Sequence, residues 1–247
     1  MKKTYNQKGN VLFLILIAVA LFAALSYAVT QSSRSGGDSS RETNILNAAQ
    51  LTQYPTSIRT AVLRLVIDGF QDTNLLYNDP AVPGGFTATS EPFEVFATIG
   101  GGAIYQDAPS GVMQLGGVNT GGTWFINMDF EVENLGRNVT GNIAGNELIA
   151  FLPGITESVC TRINLEANVI ALPTDTNPTI ATDLSGTGDG RIGKNIVNLS
   201  DYSSTTSVVL DDGGTPNALR GQPFGCFQIT AGTWTGTNVL YTVILER

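Results

Sequence analysis

The side chains able to do acid–base or nucleophilic chemistry are few in this chain, and what is missing excludes more than what is present suggests. There is no histidine, which removes the usual general base and the commonest zinc ligand together. A Ser-His-Asp or Cys-His arrangement is therefore ruled out. Serine–lysine chemistry would have to use Lys194, the only lysine after Lys8, and no Ser-x-x-Lys pattern contains it. Two close carboxylate pairs, Asp211-Asp212 and Asp129 with Glu131, have the residue types that glycosidase-type acid–base work uses. Yet Asp211-Asp212 runs into Gly213-Gly214, which is turn composition, and Asp129 and Glu131 read as outward, solvated strand positions. Asp183-Leu184-Ser185-Gly186-Thr187-Gly188-Asp189-Gly190 alternates oxygen-bearing residues as calcium loops do, but no glutamate closes it, so a polar surface turn is expected. Gly100-Gly101-Gly102 lacks the Lys-Ser/Thr of a phosphate loop. The expectation is a protein with no catalytic, metal-binding or cofactor-binding residue.

Those residues must be held by a scaffold, and the scaffold begins with a membrane-type segment. Val11 to Val29 reads VLFLILIAVALFAALSYAV, without a charge and with Ser26 and Tyr27 as its polar interruptions. As a helix it would span roughly 28 Å at 1.5 Å per residue, close to the hydrocarbon thickness of a bilayer. Lys2, Lys3 and Lys8 all precede it, so the positive-inside rule keeps the leader cytoplasmic and exports the rest. In an exported domain the two cysteines, Cys160 and Cys226, are expected to form a disulfide. Three fates remain for the segment: a cleaved secretory signal, with Ser26-Tyr27-Ala28 as its small-residue site; an uncleaved anchor; or a helix retained after removal of the leader alone.

The third fate follows from the junction Gln7-Lys8-Gly9-Asn10-Val11-Leu12-Phe13-Leu14. It resembles the type IV pilin and pseudopilin family, whose members carry a short basic leader ending in glycine. Glu147–Gly154, Val159–Asn164 and Tyr241–Arg247 also look similar to stretches of bacterial pilin-like proteins. The resemblance implies that a prepilin peptidase cuts between Gly9 and Asn10, leaving the apolar helix first as anchor and later as filament core. Two departures stand out. The first mature residue would be Asn10 rather than Phe or Met, and the fifth would be Leu14 where most members have the glutamate that docks a neighbour's terminal amine. Lack of that glutamate is found in certain minor, tip-located subunits.

Beyond the anchor, 31–41 is small and polar and reads as a linker, with Ser39 and Glu42 forming a capping-box pattern. Ile45, Ala48, Ala49, Ile58, Val62, Leu65 and Val66 predict an amphipathic helix over 42–69, kinked or split at Pro55. A β-rich domain is expected over 70–247. Its clearest strand is Trp124–Val132, with apolar residues alternating inward and Phe125, Asn127, Asp129 and Glu131 outward. A short helix is expected over 154–167, opened by Pro153, and two terminal strands over Gly225–Thr230 and Val239–Glu246.

The predicted fold class is α+β, with a leader at 1–9, an apolar helix at 10–30, the amphipathic helix, and a mainly antiparallel sheet. Without residues 1–9 the net charge is −11, which repels nucleic acid. The expected role is a structural subunit, minor rather than major, of a type IV pilus or secretion pseudopilus. Its partners would be other pilin-like subunits, the assembly machinery, the prepilin peptidase and the membrane. The expected location is the inner membrane with the domain in the periplasm, or a surface filament. The alternative is a single-pass anchored binding domain that does not polymerise.

Overall fold

The computed structural model describes residues 9–32, 36–77, 92–137, 145–169, 172–175, 208–210, 218–230 and 234–247. Asp183–Gly190, Asp211-Asp212 and Lys194 lie outside them. The chain divides into two compact units, 1–43 and 44–247.

The first unit holds helix α1, Gly9–Ser32. The second helix, α2, spans Gly36–Ile67 and continues through Pro55 without a break. It therefore starts inside the segment whose composition suggests a linker, and the expected cap at Ser39 falls within the helix. Two glycines at about 1 kcal/mol each do not stop a helix that is propagating from a well-packed body. From residue 44 onward α2 belongs to the second unit and buries Ala48, Leu51, Tyr54, Ile58, Ala61, Val62 and Leu65. That stripe, three and four residues apart, is one side of a 3.6-residue period.

The sheet opens with β1, Phe125–Glu131, and β2, Glu147–Pro153, and α3, Glu157–Glu166, follows. After α3 come β3, Thr174–Asp175, and β4, Val208–Val209; β5, Phe224–Ile229, and β6, Asn238–Leu245, end the sheet. The strand order is β3-β5-β6-β2-β1-β4. The four longer strands are joined antiparallel, while β3 and β4 add parallel two-residue edges. The fold is thus α+β with a mainly antiparallel sheet.

Both faces of this sheet are covered. One core joins the α2 stripe to Trp124, Ile126, Met128, Leu148, Ala150, Leu152, Leu240 and Ile244. The other gathers Phe130, Val132, Ile149, Phe151, Phe227, Val239, Tyr241 and Val243 beneath Ala167, Val169, Leu210 and Leu219. Central strand β2 is buried along its whole length, as a strand between two cores must be.

This corrects the reading of β1 as half-solvated. Its register with β2 shifts between Asn127 and Phe130, so Trp124, Ile126 and Met128 serve one core while Phe130 and Val132 serve the other. A register irregularity re-aims every side chain beyond it. Asn127 and Glu131, expected in solvent, are 2% and 1% exposed. Pro153 ends β2 instead of opening α3, whose N-cap is Thr156.

Candidate functional site

Helix α1 has no acidic residue in its first turn and no charge anywhere along it. Its large side chains stand out on every side: Leu14 is 60% exposed, Phe22 74% and Leu25 65%. The stretch Val11–Thr30 is long and apolar enough to cross a membrane, and none of it is buried. A helix satisfies its own backbone hydrogen bonds, which is the requirement for a segment placed in hydrocarbon. Thr30 even turns its hydroxyl inward, donating to the Ser26 and Tyr27 carbonyls at 2.8 and 3.0 Å. Gly9 and Asn10, the residues flanking the expected cleavage, form the first turn of α1. At Leu14 the helix offers a neighbour only hydrocarbon, not a carboxylate.

The cysteines occupy a different corner. Val159, Cys160, Ile163 and Asn164 form the buried side of α3, and Cys160 is bonded to Cys226 of β5 with the two Cα atoms 5.4 Å apart. Asn164, one turn after Cys160, reinforces the junction. Its Nδ2 donates to the Cys226 carbonyl at 2.8 Å, and its Oδ1 accepts from the Cys226 N–H at 2.7 Å. The asparagine amide thus pairs the edge of β5 where β3 is too short to reach. A bond closing a loop of 66 residues contributes stability of about 2–4 kcal/mol. Both sulfurs are buried, so the bond is a structural tie and not an accessible redox centre.

A groove of ≈ 750 Å³ lies between α2 and the extended segment 101–109. Its floor includes Tyr54 and Trp124, whose ring centroids are 5.3 Å apart. Gln50, Gln53, Ser57, Thr60 and Arg64 line one wall. The Tyr54 hydroxyl accepts from the Gln106 N–H at 3.2 Å, and Arg64 Nη2 donates to the Gly100 carbonyl at 2.6 Å. This explains the glycine run in terms of packing: a Cβ on Gly100 would lie 2.1 Å from the Glu94 carbonyl oxygen. The run is a tight backbone wrap held by α2, with no anion-binding geometry.

A further polar feature is Glu147, at the head of β2 and fully buried. Its Oε2 accepts from the Val132 N–H at 2.8 Å, while Oε1 has no hydrogen-bond partner. Burial first, then the nearby Glu131 and Glu246, push its carboxyl up to about 7, against the pull of the backbone N–H groups. Glu147 does not line the groove. Among the described residues, no cluster of three or more Cys, Asp or Glu side chains is arranged to hold a metal ion.

The candidate residues belong to different elements: Gly9 and Asn10 to α1, the disulfide to α3 and β5, and Glu131, enclosed, to the end of β1. Glu147, Asn164 and the groove were not foreseen. A charge heading an otherwise apolar strand, and an asparagine one helical turn after a cysteine, are the signals that point to the first two. Family models, curated proteins and solved structures provide no match to this chain.

Proposed function

We propose that this chain is a pilin-like structural subunit, minor rather than major, of a type IV pilus or secretion pseudopilus. The observation that carries the reading is α1: an uncharged helix opening at the Gly9–Asn10 junction, with its apolar side chains bare on all sides. Such a surface must be covered by lipid or by other apolar helices. A subunit that leaves the membrane for a filament core exchanges one cover for the other. The folded body attached to it, with α2 packed on a sheet and a disulfide at its edge, is suited to an exported compartment. Its role is structural and associative, without an enzymatic step, and its partners are other pilin-like subunits, the assembly machinery and the prepilin peptidase.

Leu14 sets the expected behaviour. Without a carboxylate there, no charge pair guides docking onto a second copy, and the subunit enters filaments among other pilin-like proteins. Electron microscopy of cells making this subunit alone, with the machinery present, should find no long filaments. Immunogold labelling should find it sparsely on filaments when partner subunits are supplied. Abundant homopolymers overturn the minor role.

The groove beside α2 favours a second reading, a single-pass anchored binding domain that never polymerises. Its absence from every filament fraction, with partners present, would select that reading.

A further inference from the structure

The wall that α2 gives to the groove is a polar stripe. Gln50, Gln53, Ser57, Thr60 and Arg64 follow one another at steps of three and four, so they share one face of the helix. From Gln50 to Arg64 the stripe runs about 21 Å along the axis. Acidic residues outnumber basic ones in this chain by 21 to 13, yet no carboxylate lines the groove. Asp107 is not among its residues, and its Oδ1 accepts from the Tyr105 hydroxyl at 3.4 Å.

The polar groups of the stripe differ in what they have left to offer. Ser57 has given its proton to the Tyr54 carbonyl at 2.7 Å, and Thr60 to the Thr56 carbonyl at 3.0 Å. Both hydroxyls can therefore only accept from a ligand. The exposed amides of Gln50 and Gln53 have no partner among the described residues and offer donors and acceptors alike. Arg64 spends one of its five N–H donors on the Gly100 carbonyl. Its Nη1 lies beside Gly102, 3.7 Å from where a Cβ would stand. Arg162, Arg220 and Arg247 each meet a carboxylate, whereas Arg64 forms no ion pair among the described residues. The fixed charge of the groove is thus this guanidinium, not the glycine run that it holds.

A matching ligand brings an anionic group for Arg64 and O–H donors for Ser57 and Thr60. Its C–H edges would rest on the Tyr54–Trp124 floor. An added peptide strand finds less to pair with. The N–H groups of Ala103, Gln106 and Ala108 on the opposite wall already donate to the Val95 carbonyl, the Tyr54 hydroxyl and the Gly122 carbonyl, which breaks the ladder that strand addition uses. We propose that the groove binds a carboxylate-bearing oligosaccharide, with its carboxylate on Arg64 and its hydroxyls along the α2 stripe. The proposal rests on the reading of the groove as a binding site and not on filament entry.

The test is a panel of immobilised neutral, uronate-bearing and sialylated oligosaccharides, probed with the full chain in a detergent that has no sugar headgroup. Calorimetry with a retained member gives its affinity, and tetraglutamate serves as the peptide control. Only carboxylate-bearing sugars should be retained. Reducing the carboxyl of the bound sugar to an alcohol, or making Arg64→Gln, should weaken binding on the order of ten- to hundredfold. Because Arg64 also holds Gly100, a second variant is needed. Gln50→Ala with Gln53→Ala, both at exposed positions, should weaken binding about tenfold and leave the unfolding transition unmoved. Retention of no acidic sugar overturns the proposal, as does equal binding of the carboxyl-reduced sugar or of tetraglutamate. Unchanged affinity in the glutamine double variant and in Arg64→Gln also overturns it. The assay reads binding without filaments, so its failure removes the glycan site and leaves the subunit role standing.

Discussion

Helices α1 and α2 are both long enough to span a bilayer, yet they differ in what each leaves uncovered. In α2 the residues at three- and four-step spacing are buried, from Ala48 through Ile58 to Leu65, while Gln50 and Gln53 face solvent. In α1 no such stripe exists, and Leu12, Leu16, Leu21 and Leu25 are each at least 60% exposed. Helix α2 has its apolar partner inside the chain. The apolar surface of α1 stays bare. Amphipathicity thus separates a helix that completes a domain from one that leaves its apolar surface uncovered.

Substitutions on the two helices should therefore fail in different ways. Ile58→Ala removes a fully buried side chain from the α2–sheet core and should cost about 2–5 kcal/mol of unfolding free energy, with membrane retention unchanged. Denaturant titration in micelles measures the first and membrane fractionation the second. Leu21→Arg, near the middle of the apolar span, should do the reverse. It should disfavour insertion by about 2.5–3.5 kcal/mol and leave the unfolding transition of the 44–247 unit where it was. If Leu21→Arg unfolds the domain, or Ile58→Ala releases the protein from membranes, the division between the helices is wrong.

What could be read in advance divides along similar lines. Both helices were legible because hydrophobic period and charge are local properties, and the terminal β5–β6 pair was legible from its turn. Strand β2 was not, because Leu148–Leu152 is a continuous apolar run that a buried helix would share. The two-residue strands β3 and β4 exist only through parallel pairing with distant β5 and β1, and two residues carry no period. The shift between Asn127 and Phe130 was invisible for the same reason, so Glu131 was assigned to solvent. The Cys160–Cys226 pairing needed only an even count and an exported domain. The Asn164 clamp beside it depends on the fold bringing α3 to an open strand edge. The burial of Glu147 follows from the second core, which has no local signature.

The central claim is that α1 is kept while the leader is lost, and intact-mass and N-terminal peptide analysis of the protein isolated from membranes tests it most directly. The account predicts a mature chain starting at Asn10 with α1 intact, and an untrimmed leader in Gly9→Val. A chain starting at Val29, or one still carrying residues 1–9 in the presence of an active prepilin peptidase, would contradict it.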